Sequence, residues 1–187
     1  YVRRRYGHEV IYYGVHVYDD EWTPLTDDAL IKGSVLESRL EEDKLVTLSL
    51  LDDMPMLDVF ALGKTNDCFS IKLGGDKAFS YKILGVYDGT VYLGYENGFT
   101  YDVLKLDQKA GKTEKVYTFD MGATFDNALS MNDGKLAFVY RTDDAKTELA
   151  VYDLATGDKK DYELPDDIGS IVHEPVYYGL QETVWLR

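Results

Sequence analysis

The chain repeats a unit of about 45 residues three times, and this repeat constrains the fold more than any other feature of the sequence. The segment "DGKLAFVY" (133–140) matches "DGTVYLGY" (88–95) and, more loosely, "EDKLVTLS" (42–49). Three further segments match downstream in the same order: "LDVFA" (57–61), "VLKLD" (103–107) and "LAVYD" (149–153). A unit this short cannot bury its apolar face alone, so the copies must pack against one another.

Each copy has the pattern of four short β-strands. Apolar residues alternate with period two, as in residues 136–140, and Gly, Asp and Asn cluster between the runs, where turns need them. Asp88-Gly89 and Asp133-Gly134 indicate tight hairpins, because both residue types tolerate a positive φ. The pattern predicts an all-β chain, 1–187, of antiparallel four-stranded units at about 34–73, 80–119 and 125–165.

Only residues 26–44 also fit a helix. Ser34 and Glu37 have the spacing of a capping box at a helix start. Gly33 interrupts the helical pattern, however, and the register of the repeat assigns residues 34–41 to the first strand of a copy. We therefore predict a strand there.

A four-stranded unit of this period resembles the blade of a β-propeller. Residues 133–158, "DGKLAFVY…ELAVYDLATGD", are similar to the repeats of TolB-like, quinoprotein-like and YVTN-type propellers, in which an Asp-Gly turn precedes the second strand and a Tyr-Asp-x-x-Thr-Gly turn follows the third. The likeness covers residues 34–165. It implies a propeller architecture without a cofactor, because the quinone-binding tryptophan motif is absent.

The two ends of the chain leave the number of blades open. Residues 1–25 and 170–187 each have the pattern of about two strands, and together they would complete a fourth blade and close a four-bladed ring. A quarter of 187 residues, 46.75, is close to the period. The alternative is a fragment of a larger propeller with broken terminal blades.

Charge and cysteine content limit the partners. The chain has 34 acidic and 20 basic residues, a net charge of −14, which repels phosphate backbones and excludes nucleic acid as a partner. No apolar run is long enough to span a bilayer. Cys68 is the only cysteine, which excludes an internal disulfide, and its neighbours Phe69 and Ile71 suggest a buried or half-buried structural thiol.

The usual motifs of metal and catalytic sites are missing. The three histidines, His8, His16 and His173, include no closely spaced pair, and the Asp pairs lack the alternating spacing of a calcium loop. No Gly-x-Ser-x-Gly motif marks a nucleophile. We expect no metal, no cofactor and no catalytic residue in this chain.

The loops that join second to third strands form the predicted binding surface, because propellers bind ligands on that face. These loops carry acids, an amide and one arginine: Asp52, Asp53, Glu96, Asn97, Arg141, Asp143 and Asp144. Trp22 and Trp185 have two possible roles. They either stack on a sugar or a protein partner from an exposed position, or fill the space between sheets, and we predict the buried arrangement.

The sequence therefore predicts a non-enzymatic binding or scaffolding module that recognises a protein, peptide or glycan. The first alternative is an accessory propeller of a hydrolase whose catalytic residues lie outside this chain. The second is an enzyme that uses Arg141 and the acids of residues 143–144. Repeats of this kind resemble those of secreted and cell-envelope proteins of bacteria, which implies an extracellular or cell-envelope location.

Overall fold

The computed structural model describes residues 2–7, 10–15, 17–25, 29–62, 68–74, 80–98, 100–120, 128–141, 146–164, 176–178 and 183–185. These residues contain 17 β-strands in five antiparallel sheets. None of them belongs to a helix of the length and apolar character that crossing a membrane requires.

Three of the sheets are four-stranded meanders in which spatial order follows chain order. The first sheet of the chain contains β1 (Val2–Gly7), β2 (Val10–Val15) and β3 (Ala29–Lys32). Blade 1 contains β4 (Ser34–Glu41), β5 (Lys44–Leu51), β6 (Met54–Ala61) and β7 (Cys68–Lys72). Blade 2 contains β8 (Tyr81–Tyr87), β9 (Thr90–Asn97), β10 (Thr100–Asp107) and β11 (Lys112–Asp120). Blade 3 contains β12 (Ala128–Asn132), β13 (Lys135–Arg141), β14 (Thr147–Asp153) and β15 (Lys159–Glu163). A two-stranded sheet contains β16 (Val176–Tyr178) and β17 (Thr183–Trp185).

This architecture confirms the predicted fold class, an all-β chain of four-stranded antiparallel blades. Residues 34–41 form a strand and not a helix, as the repeat register predicted. The chain divides into two compact units, one of residues 1–95 and 103–116, the other of residues 96–102 and 117–187.

Two-residue turns fix the register inside the blades. Asp88 and Gly89 both have positive φ, 47° and 68°, and so do Asp133 and Gly134, 45° and 69°. Positive φ at both central residues defines the type I′ turn, whose twist matches that of the flanking strands. The Asp-Gly pairs therefore act as the sequence predicted.

In the first unit, the central strands β5 and β6 of blade 1 are largely buried on both faces, whereas exposed and half-buried residues alternate in the outer strands β4 and β7. The side chains of β5 alternate, so Val46 and Leu48 face blade 2 while Leu45 faces Val17 and Ile31. The core that blades 1 and 2 share contains ten buried residues: Val46, Leu48, Leu57, Val59, Leu73, Ile83, Val86, Val91, Leu93 and Leu106. Each such side chain stabilises the fold by about 1.5–3 kcal/mol, so this core outweighs any single hydrogen bond.

Edge strands β4 and β8 are joined by side-chain carboxylates. Glu37 accepts a hydrogen bond from the Ile83 amide at 3.0 Å, and Glu41 accepts one from the Val86 amide at 2.7 Å. These bonds join residues 46 and 45 positions apart, one repeat period. An edge strand leaves backbone amides without a strand partner, and the carboxylates of the neighbouring blade satisfy them.

A β-bulge in β8 adds a third link between the same two strands. Ile83 pairs with Leu93 and Gly85 with Tyr92, which leaves Leu84 outside the ladder. The freed carbonyl of Leu84 accepts a hydrogen bond from the Arg39 guanidinium. The bulge thus directs the carbonyl of Leu84, the extra residue of β8, toward the Arg39 side chain of blade 1.

In the second unit, both faces of β13 are buried. Ala137 and Val139 pack with Leu149 on one face. Aromatic rings pack on the other, where the Phe138 ring lies 4.3 Å from that of Phe119 and the Tyr117 ring lies 4.4 Å from that of Tyr152. β13 is thus a central strand with no solvent-facing side between residues 136 and 139.

The Tyr-Asp-x-x-Thr-Gly motif forms the turn after β14. The Asp153 carboxylate accepts hydrogen bonds from the amides of Ala155 and Thr156 at 2.9 and 3.2 Å. It also accepts one from the Lys135 ammonium at 2.5 Å, which lowers the pKa of Asp153. Gly157 follows with a φ of 77°, which glycine adopts without strain. The motif therefore forms a turn that its own aspartate and glycine stabilise.

Replacement of Gly33 by alanine tests the packing of β4 against β5. Gly33 has a φ of +87°, and an added Cβ would lie 2.1 Å from the Leu50 carbonyl oxygen. Gly74 has open space around it and serves as the matched control. We expect Gly33→Ala to destabilise the chain by about 2 kcal/mol or more and Gly74→Ala to change stability by less than about 0.5 kcal/mol, as measured by urea unfolding. Equal midpoints for the two variants would contradict this account.

Candidate functional site

Residues 17–25 form a turn that exposes Trp22 to solvent. The side chain of Trp22 is 80% exposed, so the prediction that it is buried is wrong. The side chain of Trp185 lies outside the described residues. We name residues 17–25 the aromatic turn.

Hydrogen bonds to Asp19 and across the base organise the backbone of the aromatic turn. The carboxylate of Asp19 accepts hydrogen bonds from the amides of Glu21 and Thr23 at 2.9 and 2.8 Å. The backbone amide of Trp22 donates to the Asp19 carbonyl at 3.1 Å. At the base of the turn, the Leu25 amide donates to the carbonyl of Val17 at 2.8 Å. Since the Val17 side chain is buried in the core, the base is anchored to the blade.

The backbone of Trp22 has an unusual conformation. Its φ is 63°, in the left-handed region that bulky residues rarely adopt. A non-glycine residue in a sparsely populated conformation costs about 1–3 kcal/mol, and such strain is concentrated at functional sites. Glycine or asparagine would adopt this backbone conformation with less strain. The presence of an exposed tryptophan there points to a role other than folding.

A second aromatic ring stands beside Trp22. The ring centroids of Tyr18 and Trp22 are 6.0 Å apart, and the ring planes are inclined by 51°. Tyr18 is 42% exposed, and the acidic residues Asp20 and Glu21 are exposed in the same turn. The site thus presents two accessible ring surfaces with carboxylates next to them, an arrangement suited to non-covalent recognition.

The predicted loop residues occupy the hairpins where the repeat placed them. Asp52 and Asp53 form the exposed turn between β5 and β6, and Glu96 and Asn97 lie at the exposed end of β9. Arg141 ends β13, where its backbone pairs with Thr147. Its side chain, together with Asp143 and Asp144, lies outside the described residues. That these side chains bind a ligand stays a prediction.

The two aspartates of the β5–β6 hairpin also have a structural explanation. Both have positive φ, 50° for Asp52 and 61° for Asp53. Aspartate tolerates this conformation better than most residues, and the type I′ turn requires it at both positions. Turn chemistry is thus sufficient to account for these residue types.

Cys68 is exposed, so the prediction of a buried or half-buried thiol is wrong. It begins β7, an edge strand in which exposed and half-buried residues alternate. Phe69 and Ile71 pack against the core, and the alternation therefore turns Cys68 and Ser70 outward. Partial desolvation of the sulfur raises the pKa of the Cys68 thiol, and the Asp58 carboxylate raises it further, so the thiolate nucleophile is disfavoured.

Asp58 is a buried carboxylic acid beneath this thiol. Burial raises the pKa of Asp58, while hydrogen bonds from the Ser70 hydroxyl and the Cys68 thiol lower it. Asp102 is also buried and accepts a hydrogen bond from the Thr118 hydroxyl at 2.6 Å. The third strands of blades 1 and 2 thus each bury one carboxyl that is bonded to a hydroxyl on the fourth strand.

A surface pocket of about 320 Å³ lies at the end of blade 2 where β8 meets β9 and β10 meets β11. Charges of both signs line it, including Lys105, Lys109 and Asp107. Glu114 bonds to Lys112 and Lys105 at 3.2 and 3.4 Å, which lowers the pKa of Glu114. Lys105 and Glu114 thus pair with each other, and the lining carries charges of both signs.

Metal ligands are not clustered in the described part of the chain. No group of three His, Cys, Asp or Glu side chains there has the geometry to hold a metal ion. The three histidines that were considered as ligands, His8, His16 and His173, lie outside the described residues.

The chain is similar to a solved β-propeller domain. No family model and no curated protein matches the chain. A solved structure described as the β-propeller domain of the Trilobed protease from Pyrococcus furiosus, with an open velcro topology, is 15% identical. The match has a TM-score of 0.48 and covers 72% of this chain and 43% of that one. The chain therefore spans less than half the length of this solved structure.

The aromatic turn was missed because the sequence analysis assigned Trp22 to the sheet-to-sheet core. A signal was available, since "DDEWTP" (19–24) places the tryptophan among acids and before a proline and lacks the alternation of a strand. Tryptophan in such a turn segment has no buried strand face to occupy.

Titration of Asp58 predicts how stability changes with pH. Because its pKa is raised in the folded chain, the stability that protonated Asp58 provides is present below the unfolded pKa of about 3.9 and is lost as the pH rises through the folded pKa. Asparagine does not titrate, so Asp58→Asn should become more stable relative to the original chain as the pH rises from the unfolded pKa to the folded pKa of Asp58. Urea midpoints at several pH values measure this difference.

Ser70→Ala is the informative companion variant. It removes the hydroxyl that lowers the pKa of Asp58, so the loss of stability with rising pH should extend to higher pH. A constant difference between Asp58→Asn and the original chain at all pH values would contradict the raised pKa.

Proposed function

We propose that this chain is a non-catalytic binding module that recognises a protein or peptide through the aromatic turn. The observation that carries the proposal is the strained and highly exposed Trp22, held on a hydrogen-bonded frame. Tryptophan is among the residues that contribute most to protein interfaces, because it offers a large rigid surface for burial.

The hydrogen-bonded frame supports this role, because a backbone already held by hydrogen bonds loses less entropy on binding. Asp19 already fixes the backbone on both sides of Trp22 through its bonds to Glu21 and Thr23. A partner that covers the ring therefore does not have to order a loop first, which leaves more of the contact energy for affinity. Leu25, 40% exposed, adds apolar surface in the same turn.

The acidic hairpins are a second contact region in this proposal. Asp52 and Asp53 are exposed, and the net charge of the chain is −14. Exposed charges of one sign mainly increase the rate at which a partner of opposite charge associates, and contribute less to the final affinity. We therefore assign affinity to the aromatic turn and attraction at a distance to the acids.

Selection from a displayed library of random peptides tests the proposal. The original chain, Trp22→Ala and Tyr162→Ala serve as baits, and Tyr162 is a matched control because it is another exposed aromatic residue, on β15. We expect enriched peptides to bind the original chain and Tyr162→Ala equally and to lose at least about tenfold in affinity with Trp22→Ala, which corresponds to about 1.4 kcal/mol.

Circular dichroism and urea unfolding should first show that each bait is folded. The absence of any enriched peptide, or enriched peptides whose affinity survives Trp22→Ala, would overturn the proposal. A glycan array probed with the same three baits tests whether the partner is a carbohydrate. If a glycan binds through Trp22 and no peptide does, the partner is a carbohydrate and not a protein.

A further inference from the structure

We infer that the aromatic turn binds a cationic side chain, the guanidinium of arginine or the ammonium of lysine, in a basic segment of the partner. This inference rests on the proposed function and names the chemistry that the site recognises. It follows from three properties of the turn: the faces of its rings, the charge around them and the angle between them.

The first property is the aromatic surface itself. The faces of tyrosine and tryptophan rings carry partial negative charge and attract a cation within about 6 Å of the ring centroid. The Tyr18 and Trp22 centroids are 6.0 Å apart, so the two rings contact each other directly and leave no room for a cation between them. A cation therefore packs on the exposed ring of Trp22, with Tyr18 beside it. Trp22, the stronger of the two rings in this interaction, is also the more exposed.

The second property is a local excess of acidic residues without basic ones. The sequence contains no lysine or arginine between Arg5 and Lys32. The same interval contains six acids: Glu9, Asp19, Asp20, Glu21, Asp27 and Asp28. Since Asp19 is bonded to the turn backbone, the exposed Asp20 and Glu21 are the described carboxylates available for a ligand. This charge attracts a cation and repels a phosphate or carboxylate ligand.

The third property is the inclination of the two rings. Planes that meet at 51° form an open angle and not a flat platform. Inclined rings give a sugar only one flat face to stack on, whereas a cation needs no flat platform and is also attracted by the negative charge of Asp20 and Glu21. We therefore favour a cationic side chain, and the glycan array tests the carbohydrate.

Short synthetic peptides test the inference on the full chain. The probes are acetylated Gly-Gly-Arg-Gly-Gly amide and the same peptide with citrulline, which keeps the shape of arginine and removes its charge. A second pair compares lysine with norleucine. The reporter is the Trp22 indole N–H signal in nuclear magnetic resonance spectra of the labelled chain, assigned with Trp22→Phe.

We expect saturable shifts of the Trp22 signal with the arginine and lysine peptides at millimolar concentration, and at least about fivefold weaker binding of the neutral peptides. That ratio corresponds to a cation–π contribution of about 1 kcal/mol. The affinity should fall as salt is added, because the exposed carboxylates are screened within about 10 Å at 0.1 M ionic strength.

Charge variants separate the local acids from the overall charge. Asp20→Asn combined with Glu21→Gln should weaken the binding of the arginine peptide about threefold or more. Asp158→Asn combined with Glu163→Gln removes the same number of exposed charges elsewhere and should leave the affinity unchanged. Equal losses in the two double variants would reduce the effect to net charge and overturn the inference.

The outcomes also distinguish this inference from the proposed function. The inferred preference for a cation is wrong if the arginine and citrulline peptides bind equally. It is also wrong if neither peptide shifts the Trp22 signal although library peptides bind through Trp22. In both cases the proposed binding module stands. If the library also yields no Trp22-dependent peptide, both proposals fall.

Discussion

A four-stranded sheet has two faces and two edges that need partners, and in the first unit blades 1 and 2 each provide the other with a partner for one face and one edge. The apolar core between blades 1 and 2 covers one face, and Glu37 and Glu41 bond to the amides at the edge of β8. The ten core side chains at about 1.5–3 kcal/mol each dominate the stability, while each bond to a carboxylate contributes about 1.5–3 kcal/mol. The carboxylates matter more for register, because sliding the blades would leave half-buried amides and carboxylates unbonded.

The aromatic turn depends on the same blade. Val17 and Ile31 pack against Leu45 and Phe60 on the face of blade 1 that blade 2 does not cover. Without this packing the turn would have no fixed base, and Asp19 would order a mobile loop at a larger entropic cost. A strained residue such as Trp22 persists only where its surroundings determine its conformation. The exposed ring is therefore a property of the packed blade as much as of its own segment.

The sequence was sufficient to predict the features of the fold that are encoded locally. Alternation of apolar residues and the Asp-Gly pairs specify strands and turns over a few residues, and the period of the repeat ruled out a helix over residues 34–41. The face on which Cys68 lies was also encoded, since Phe69 and Ile71 pack on the opposite face of β7. Its exposure comes from the position of β7 at the edge of the sheet. The exposure of Cys68 was missed because the prediction used the apolar character of its neighbours and not the alternation of side chains along the strand.

Other features depend on contacts between distant segments, and local patterns do not reveal them. Residues 34–41 were predicted only to form a strand. The partners of Glu37 and Glu41 are backbone amides one period away, which carry no residue identity to recognise. The exposure of Trp22 depends on what packs over a turn, and tryptophan is buried often enough in proteins that its type alone misled the prediction. The candidate site therefore came from the structure, while the predicted loop acids remain untested as ligands.

Amide hydrogen exchange at β8 tests the central claim that carboxylates of one blade satisfy the edge of the next. In the original chain we expect the Val86 and Ile83 amides to be protected although they lie on an edge strand. Glu41→Ala should speed exchange at Val86 by about tenfold or more, equivalent to about 1.4 kcal/mol, and affect Ile83 less, because Glu37 still accepts from it. Val86 exchange as fast as that of an unfolded chain, or identical protection with and without Glu41, would contradict the account.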